Sequence, residues 1–272
     1  MTEGALEGRH AIVFGGGATE GASNGSAAAI LFARAGARVS VVDYNPEAAR
    51  KVTQEIEQEG HAAVALRADV TDAADVDRVV AEASEHFGPI GILHNNVGVT
   101  RPGGVTEVDP ADWDFVLRTN LTSAYLTMRH VLPRMIKAGQ GAVINVSSLA
   151  AIRHTGYDYA AYSASKAALN QLTRVTAREH ARHGIRVNVI MPGMVDTLMA
   201  RREIAAYYDS EEEMLALRNA AVPIGQMATP WDIGRAAVFL ASDNSAQITG
   251  HCLPVDGGLS LGVGMDTNRK DN

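Results

Sequence analysis

The chain has 272 residues, 46% apolar and 20% charged, a net charge of −7 and a single cysteine, Cys252. That length accommodates one large α/β domain with a sizeable core, and the acidic balance gives no support to nucleic acid or an anionic membrane as a partner. One cysteine excludes an internal disulfide or a multi-cysteine metal site and reads as a small buried apolar residue, while the lack of a signal-peptide pattern at the start and of any apolar run near 20 residues makes the cytoplasm the expected location.

Short Val/Ile-rich runs predict strands near 9–14, 37–42, 62–67, 90–95, 142–147, 185–190 and 251–255. Segments of helical period fill the gaps near 25–35, 46–59, 72–86, 110–137, 160–183 and 229–241, several opened by Asp or Pro at positions suited to a helix start. Such alternation predicts a single α/β domain over 1–272, a doubly wound parallel sheet of about seven strands with helices on both faces. The pattern breaks at 197–228, where Arg201-Arg202 and Glu211-Glu212-Glu213 stand on a polar excursion between a strand and a helix. That is the usual place for a substrate-covering lid, and a solvated helix pair is the alternative. The tail from Leu259 to Asn272 is Gly-rich and then polar.

Three stretches carry chemistry. After the first strand comes Gly15-Gly16-Gly17-Ala18-Thr19-Glu20-Gly21-Ala22-Ser23-Asn24-Gly25, then an Ala-rich helix. Glycines there let the backbone approach a pyrophosphate at a helix N-terminus, as in a Rossmann-type dinucleotide site. Asp43 ends the second strand, where a carboxylate accepts bonds from the adenosine ribose and repels the 2′-phosphate of NADP, so NAD is favoured; alternatively Asp43 caps the next helix with Pro46. Third, Tyr162 and Lys166 lie one helical turn apart on one face. A phenol is a poor acid or base at neutral pH unless a nearby cation favours its ionised form, and Lys166 supplies that cation. Ser148 ends a buried strand fourteen residues earlier. Neither Tyr157 nor Tyr159 has a lysine four places on, which leaves Tyr162 as the candidate.

Together these residues closely resemble the short-chain dehydrogenase/reductase family from about residue 8 to 258. The resemblance implies a catalytic set of Asn120, Ser148, Tyr162 and Lys166, with Asn120 anchoring a proton-relay water. It further implies that Asp69-Val70 holds the adenine, that Asn95-Asn96-Val97-Gly98 lies under the cofactor, and that Pro192-Gly193-Met194-Val195-Asp196-Thr197 holds the nicotinamide carboxamide. Asp256-Gly257-Gly258 matches the family's closing turn. Candidate cofactor contacts are therefore Gly15, Ser23, Asn24, Gly25, Asp43, Asp69, Val70, Asn95, Gly98, Tyr162, Lys166, Pro192, Gly193, Val195 and Thr197. Two departures stand out: Phe14 and Ser23 replace a threonine and a glycine of the family's loop, which here is four residues longer, and Val97 replaces an alanine.

The activity so implied is reversible NAD-dependent hydride transfer between a small, cyclic or polyol secondary alcohol and its ketone, in a homo-oligomer, a tetramer or dimer. An NADPH-dependent 3-oxoacyl-carrier-protein reductase is the second reading, and a non-catalytic cofactor-binding scaffold the third. Arg153, His154, Tyr157 and Tyr159 border the expected substrate pocket, where they are candidates to bind a carboxylate, phosphate or polyol, with solvation the alternative for Arg153 and His154. No His/Asp/Glu cluster points to a metal, and His183 and His251 read as structural or exposed.

Overall fold

Side chains of a strand alternate between the two faces of its sheet. In β1 (His10–Phe14), Ala11 and Val13 enter one core while Ile12 and Phe14 enter the other. The computed structural model describes residues 4–262, in which β1 is followed by β2 (Arg38–Asp43), β3 (Ala63–Arg67), β4 (Ile92–Asn95), β5 (Gly141–Val146), β6 (Ile185–Pro192) and β7 (Cys252–Val255). All seven pair in parallel in the order β3-β2-β1-β4-β5-β6-β7. Every expected strand is present, its ends within two residues.

The helices are α1 (Asn24–Arg34), α2 (Pro46–Gln58), α3 (Ala73–Phe87), α4 (Pro110–Leu117), α5 (Ser123–Ala138), α6 (Ala160–His180), α7 (Leu198–Ile204), α8 (Glu211–Ala221) and α9 (Pro230–Ala241). Apolar residues of α1, α2 and α9 pack on one face of the sheet, and those of α3, α5 and α6 on the other. Parallel strands buried on both faces read as continuous apolar runs, which is why they were legible. Helix starts follow local chemistry: Asn45 and Asp109 cap α2 and α4 ahead of Pro46 and Pro110, and Asp72 caps α3.

One expected element differs. The helix expected over 110–137 is interrupted by a π turn, Arg118–Thr122, between α4 and α5. Such insertions concentrate at functional positions, and this one carries Asn120. No Gly or Pro marks it in the sequence.

The strand order reverses between β1 and β4, and ligands of open α/β sheets bind outside the carboxyl ends of the strands at that switch point. The ends Phe14, Asp43, Asn95, Val146 and Pro192 therefore face one edge. The excursion after β6 folds as α7, a short 3₁₀ turn and α8. Its base is closed: Asp196 N–H donates to Ala228 O (2.8 Å) and Ala228 N–H to Met194 O (3.0 Å). Of the polar tail, residues 259–262 form a turn and its end, and the remainder lies outside the described residues.

Candidate active site

α6 sets Tyr162 and Lys166 one turn apart, with the Lys166 ammonium 5.6 Å from the centre of the Tyr162 ring. Lys166 is 3% exposed and donates from Nζ to Val146 O at 2.9 Å, which ties it to the end of β5. Burial brings its ammonium down to about 8. Ser148 stands two residues after the end of β5; its Oγ accepts from Ala150 N–H (3.1 Å), and α6 packs against the 3₁₀ turn that it caps. The Ser148 hydroxyl keeps its own proton for donation.

Asn120 is 1% exposed and its amide is fully engaged. Oδ1 accepts from Val99 N–H (2.8 Å), and Nδ2 donates to Val99 O (2.9 Å) and Ser165 Oγ (3.0 Å). Ser165 in turn donates to Tyr162 O at 2.7 Å. The π turn thus clamps the segment after β4 to the helix that carries Tyr162 and Lys166. Gly98 is where they converge: a Cβ there would stand 3.1 Å from Lys166 Nζ and 3.7 Å from Asn120 Oδ1. All four expected catalytic residues surround one edge of the sheet. Ser165, inside the Tyr-to-Lys span, is a supporting residue that the sequence reading passed over.

The glycine loop resolves the departures in its sequence. Ser23 caps α1, its Oγ accepting from Ser26 N–H (3.0 Å) and donating to Gly17 O (3.2 Å), so its side chain is engaged within the protein. Gly17 N–H donates to Asp43 Oδ2 and Ala18 N–H to Ala48 O. Among the described residues, the N–H groups of Asn24 and Gly25 make no hydrogen bond, and Asn24 Oδ1 is buried without a partner. A helix N-terminus with free amides can hold a phosphate. Only glycine fits at 25, because a Cβ would fall on Gly15 O. The inserted residues turn outward instead: Thr19 O accepts from Lys51 (2.7 Å), Glu20 pairs with Arg202 of α7, and Gly21, at φ +60°, lies under Leu198. Phe14 is a core residue here, and Val97, half-buried, packs against that core and on Gly15.

Asp43 does not cap α2, since Asn45 does; its carboxylate accepts from Gly17 N–H and Asn45 N–H, each at 3.0 Å. Asp69 Oδ1 accepts from Thr71 N–H and Oγ1–H (2.8 and 2.7 Å), and Val70 is buried beside it. Asn95 is the residue whose side chain turns away from the edge: Nδ2 donates to Asn145 Oδ1 (2.8 Å), and Oδ1 accepts from Thr127 (2.8 Å). Gly193 N–H donates to Val255 O (3.0 Å), beside Pro192 at the end of β6. Val195 lies between the two bonded residues of the bridge to Ala228, so its own N–H and C=O point to the opposite side. Thr197 Oγ1 accepts from Ala200 N–H (3.1 Å) and caps α7.

Two of the open positions bordering the pocket are closed. Arg153 donates to the carbonyls of Leu259 and Gly262, holding the chain after β7, and His154 bonds Asp158 (3.3 Å) and Gly156 N–H (3.1 Å). Cys252 is half-buried rather than buried. No group of three metal-ligating side chains occurs among the described residues.

The comparisons with known proteins agree with this geometry. The family described as enoyl-(acyl carrier protein) reductase matches residues 17–260. The 2,5-dichloro-2,5-cyclohexadiene-1,4-diol dehydrogenase of Sphingobium indicum is 37% identical over 258 residues, covering 95% of this chain and 98% of that protein. The 2,3-dihydro-2,3-dihydroxybenzoate dehydrogenase of Bacillus subtilis is 36% identical over 267 residues, covering 97% and 100%. A solved Burkholderia xenovorans structure, described under the short-chain dehydrogenase/reductase heading, superposes with a TM-score of 0.91 at 39% identity, covering 96% of this chain and 99% of that one. The chain belongs to the short-chain dehydrogenase/reductase family. As a short-chain dehydrogenase/reductase it is an oxidoreductase acting on CH–OH donors, and its family binds nicotinamide cofactors. The residues around the switch point fit such a group: at Gly25 a Cβ would fall on Gly15 O, at Gly98 it would crowd Lys166 Nζ at 3.1 Å, and Asn24 Oδ1 is an orphaned acceptor beside free amides.

Proposed function

We propose that the protein is a cytoplasmic NAD-dependent dehydrogenase of a cyclic secondary alcohol. The observation that carries this reading is a buried lysine, lowered to about 8, one turn from Tyr162 and seated against Gly98. When bound, the nicotinamide supplies the two-electron acceptor for the carbon-bound hydrogen. Tyr162, as phenolate, takes the proton of the substrate hydroxyl, and the Lys166 charge favours that phenolate. Ser148 donates its hydroxyl proton to the substrate oxygen and fixes its position. With its amide engaged, Asn120 holds residue 99 and α6 in register. Asn24 and Gly25 would hold the pyrophosphate, Asp43 the ribose, Asp69 and Val70 the adenine, and the backbone of Val195 the carboxamide. Asn95 acts through the sheet.

NAD is favoured because a carboxylate at the end of β2, Asp43, would accept from the ribose hydroxyls and would repel a 2′-phosphate. The names of the Sphingobium and Bacillus relatives, both dehydrogenases of cyclic diols, support a ring substrate. Apolar side chains exposed on the outer faces of α4, α5 and α6, Phe115, Tyr125 and Val175, support a homo-oligomer. A second reading, an acyl-carrier-protein reductase, is favoured by the description of the matching family; it requires NADPH, against which Asp43 stands. The test is the Tyr162→Phe variant assayed at 340 nm with NAD and NADP over a panel of cyclic alcohols. Turnover of wild type with NAD, lost by about 10²–10⁴-fold in the variant while NADH binding persists, is the expected result. A preference for NADP, or equal turnover by the variant, refutes it.

A further inference from the structure

A row of tyrosines leads away from the reacting group. The Tyr159 ring lies 6.3 Å from that of Tyr162, the Tyr157 ring 5.9 Å from that of Tyr159, and Tyr207 of the excursion 5.4 Å from Tyr157. The row ends at Arg218 on α8. Arg218 is 8% exposed; Nη1 donates to Tyr157 Oη (3.3 Å) and Nε faces Met227 Sδ (3.3 Å), while Tyr157 and Tyr208 share a hydrogen bond of 2.8 Å. Among the described residues no carboxylate lies within ion-pair distance of it. Asp196, the acid whose charge it feels, is held by both Nε and Nη2 of Arg201 (2.7 and 2.8 Å), and Arg201 also bonds Glu211. Burial, and then the bond to Tyr208, pushes the Tyr157 phenol up to about 12, so Tyr157 brings no negative charge to Arg218 at neutral pH.

A buried guanidinium that faces, among the described residues, a neutral phenol and a thioether is expensive to desolvate, and its planar fork matches a carboxylate. The tyrosine rings offer flat, partly exposed surface along the way from Tyr162. We propose that Arg218 determines specificity at this site by recognising a carboxylate on the substrate, carried on a ring whose alcohol reacts at Tyr162. The inference rests on the reading of Tyr162 as the reacting group, and names the class of substrate: a carboxylated cyclic alcohol. Tyr157 and Tyr208 then hold the guanidinium in place as positioning residues.

The test is a binding measurement, so that it does not depend on turnover. Benzoate and benzamide, which share a ring and differ in charge, are titrated calorimetrically into the protein in the presence of NADH. Wild type is expected to bind benzoate at least about tenfold more tightly than benzamide. Arg218→Met removes that preference and leaves benzamide binding in place; Arg218→Lys, which keeps the charge without the fork, retains part of it. Tyr162→Phe keeps the preference, so an error in the catalytic assignment shows as unchanged turnover in that variant with discrimination intact. Equal binding of the two probes by wild type, including failure of both to bind, overturns the proposal whatever the variants do. Loss of both ligands alike in Arg218→Met and Arg218→Lys also overturns it, and makes the arginine a support of the excursion.

Discussion

Replacing Lys166 with methionine should stabilise the protein while removing its activity. The ammonium is lowered to about 8 by burial, against about 10.4 in an unfolded chain. At pH 7 both states are protonated, so the folded chain carries the full difference, about 3 kcal/mol at roughly 1.4 kcal/mol per tenfold. The variant loses the bond from Nζ to Val146 O, which returns about 1 kcal/mol; methionine keeps most of the volume. A net gain of about 2 kcal/mol at pH 7 follows. Because the folded value lies below the unfolded one, the unfolded chain binds more protons between about pH 8 and 10.4, and wild-type stability from this group rises with pH across that window. The gap between variant and wild type should therefore be constant below about pH 8 and close above about pH 10. Urea unfolding followed by circular dichroism, at fixed protomer concentration, measures it. A variant less stable than wild type at neutral pH, or a gap that ignores alkaline pH, refutes the claim that burial of the charge governs this site.

Two further substitutions probe the cofactor edge. Asp43→Asn removes the charge and one of two backbone hydrogen bonds; kcat/KM with NADP relative to NAD should rise at least about tenfold, since a full charge opposing the 2′-phosphate is gone. Steady-state kinetics with both cofactors decides it. Gly98→Ala places a methyl 3.1 Å from Lys166 Nζ; kcat should fall by about 10²-fold through misplacement of the ammonium, with unfolding free energy reduced by no more than about 3 kcal/mol, both readable on one preparation.

The sheet was legible because its strands are short apolar runs bounded by turns, and the Tyr162–Lys166 pair because helical spacing alone places both on one face. What the sequence hid is what depends on distant partners. The π turn at Arg118–Thr122 has no local marker; Asn120 becomes intelligible only when Val99 and Ser165, far apart in the chain, meet it. Asn95 and Ser23 sit in motifs that imply cofactor contact, yet their side chains are engaged by Asn145, Thr127, Gly17 and Ser26, partners that only the fold supplies. Arg153 reads as a candidate for an anion until the chain after β7 returns to it. Arg218, in the least patterned stretch, gave no signal at all.

The bridge between Val195 and Ala228 has a consequence for how this scaffold diversifies. A loop whose two feet are bonded to each other is already closed, so its interior can lengthen, shorten or change composition at small entropic cost, about 0.6 kcal/mol for each doubling of length. The proton-transfer machinery sits on β5, the π turn and α6, outside the segment between those feet. Under the proposed function, residues 198–227 therefore form an exchangeable cassette, through which a new alcohol would be selected by rewriting one segment.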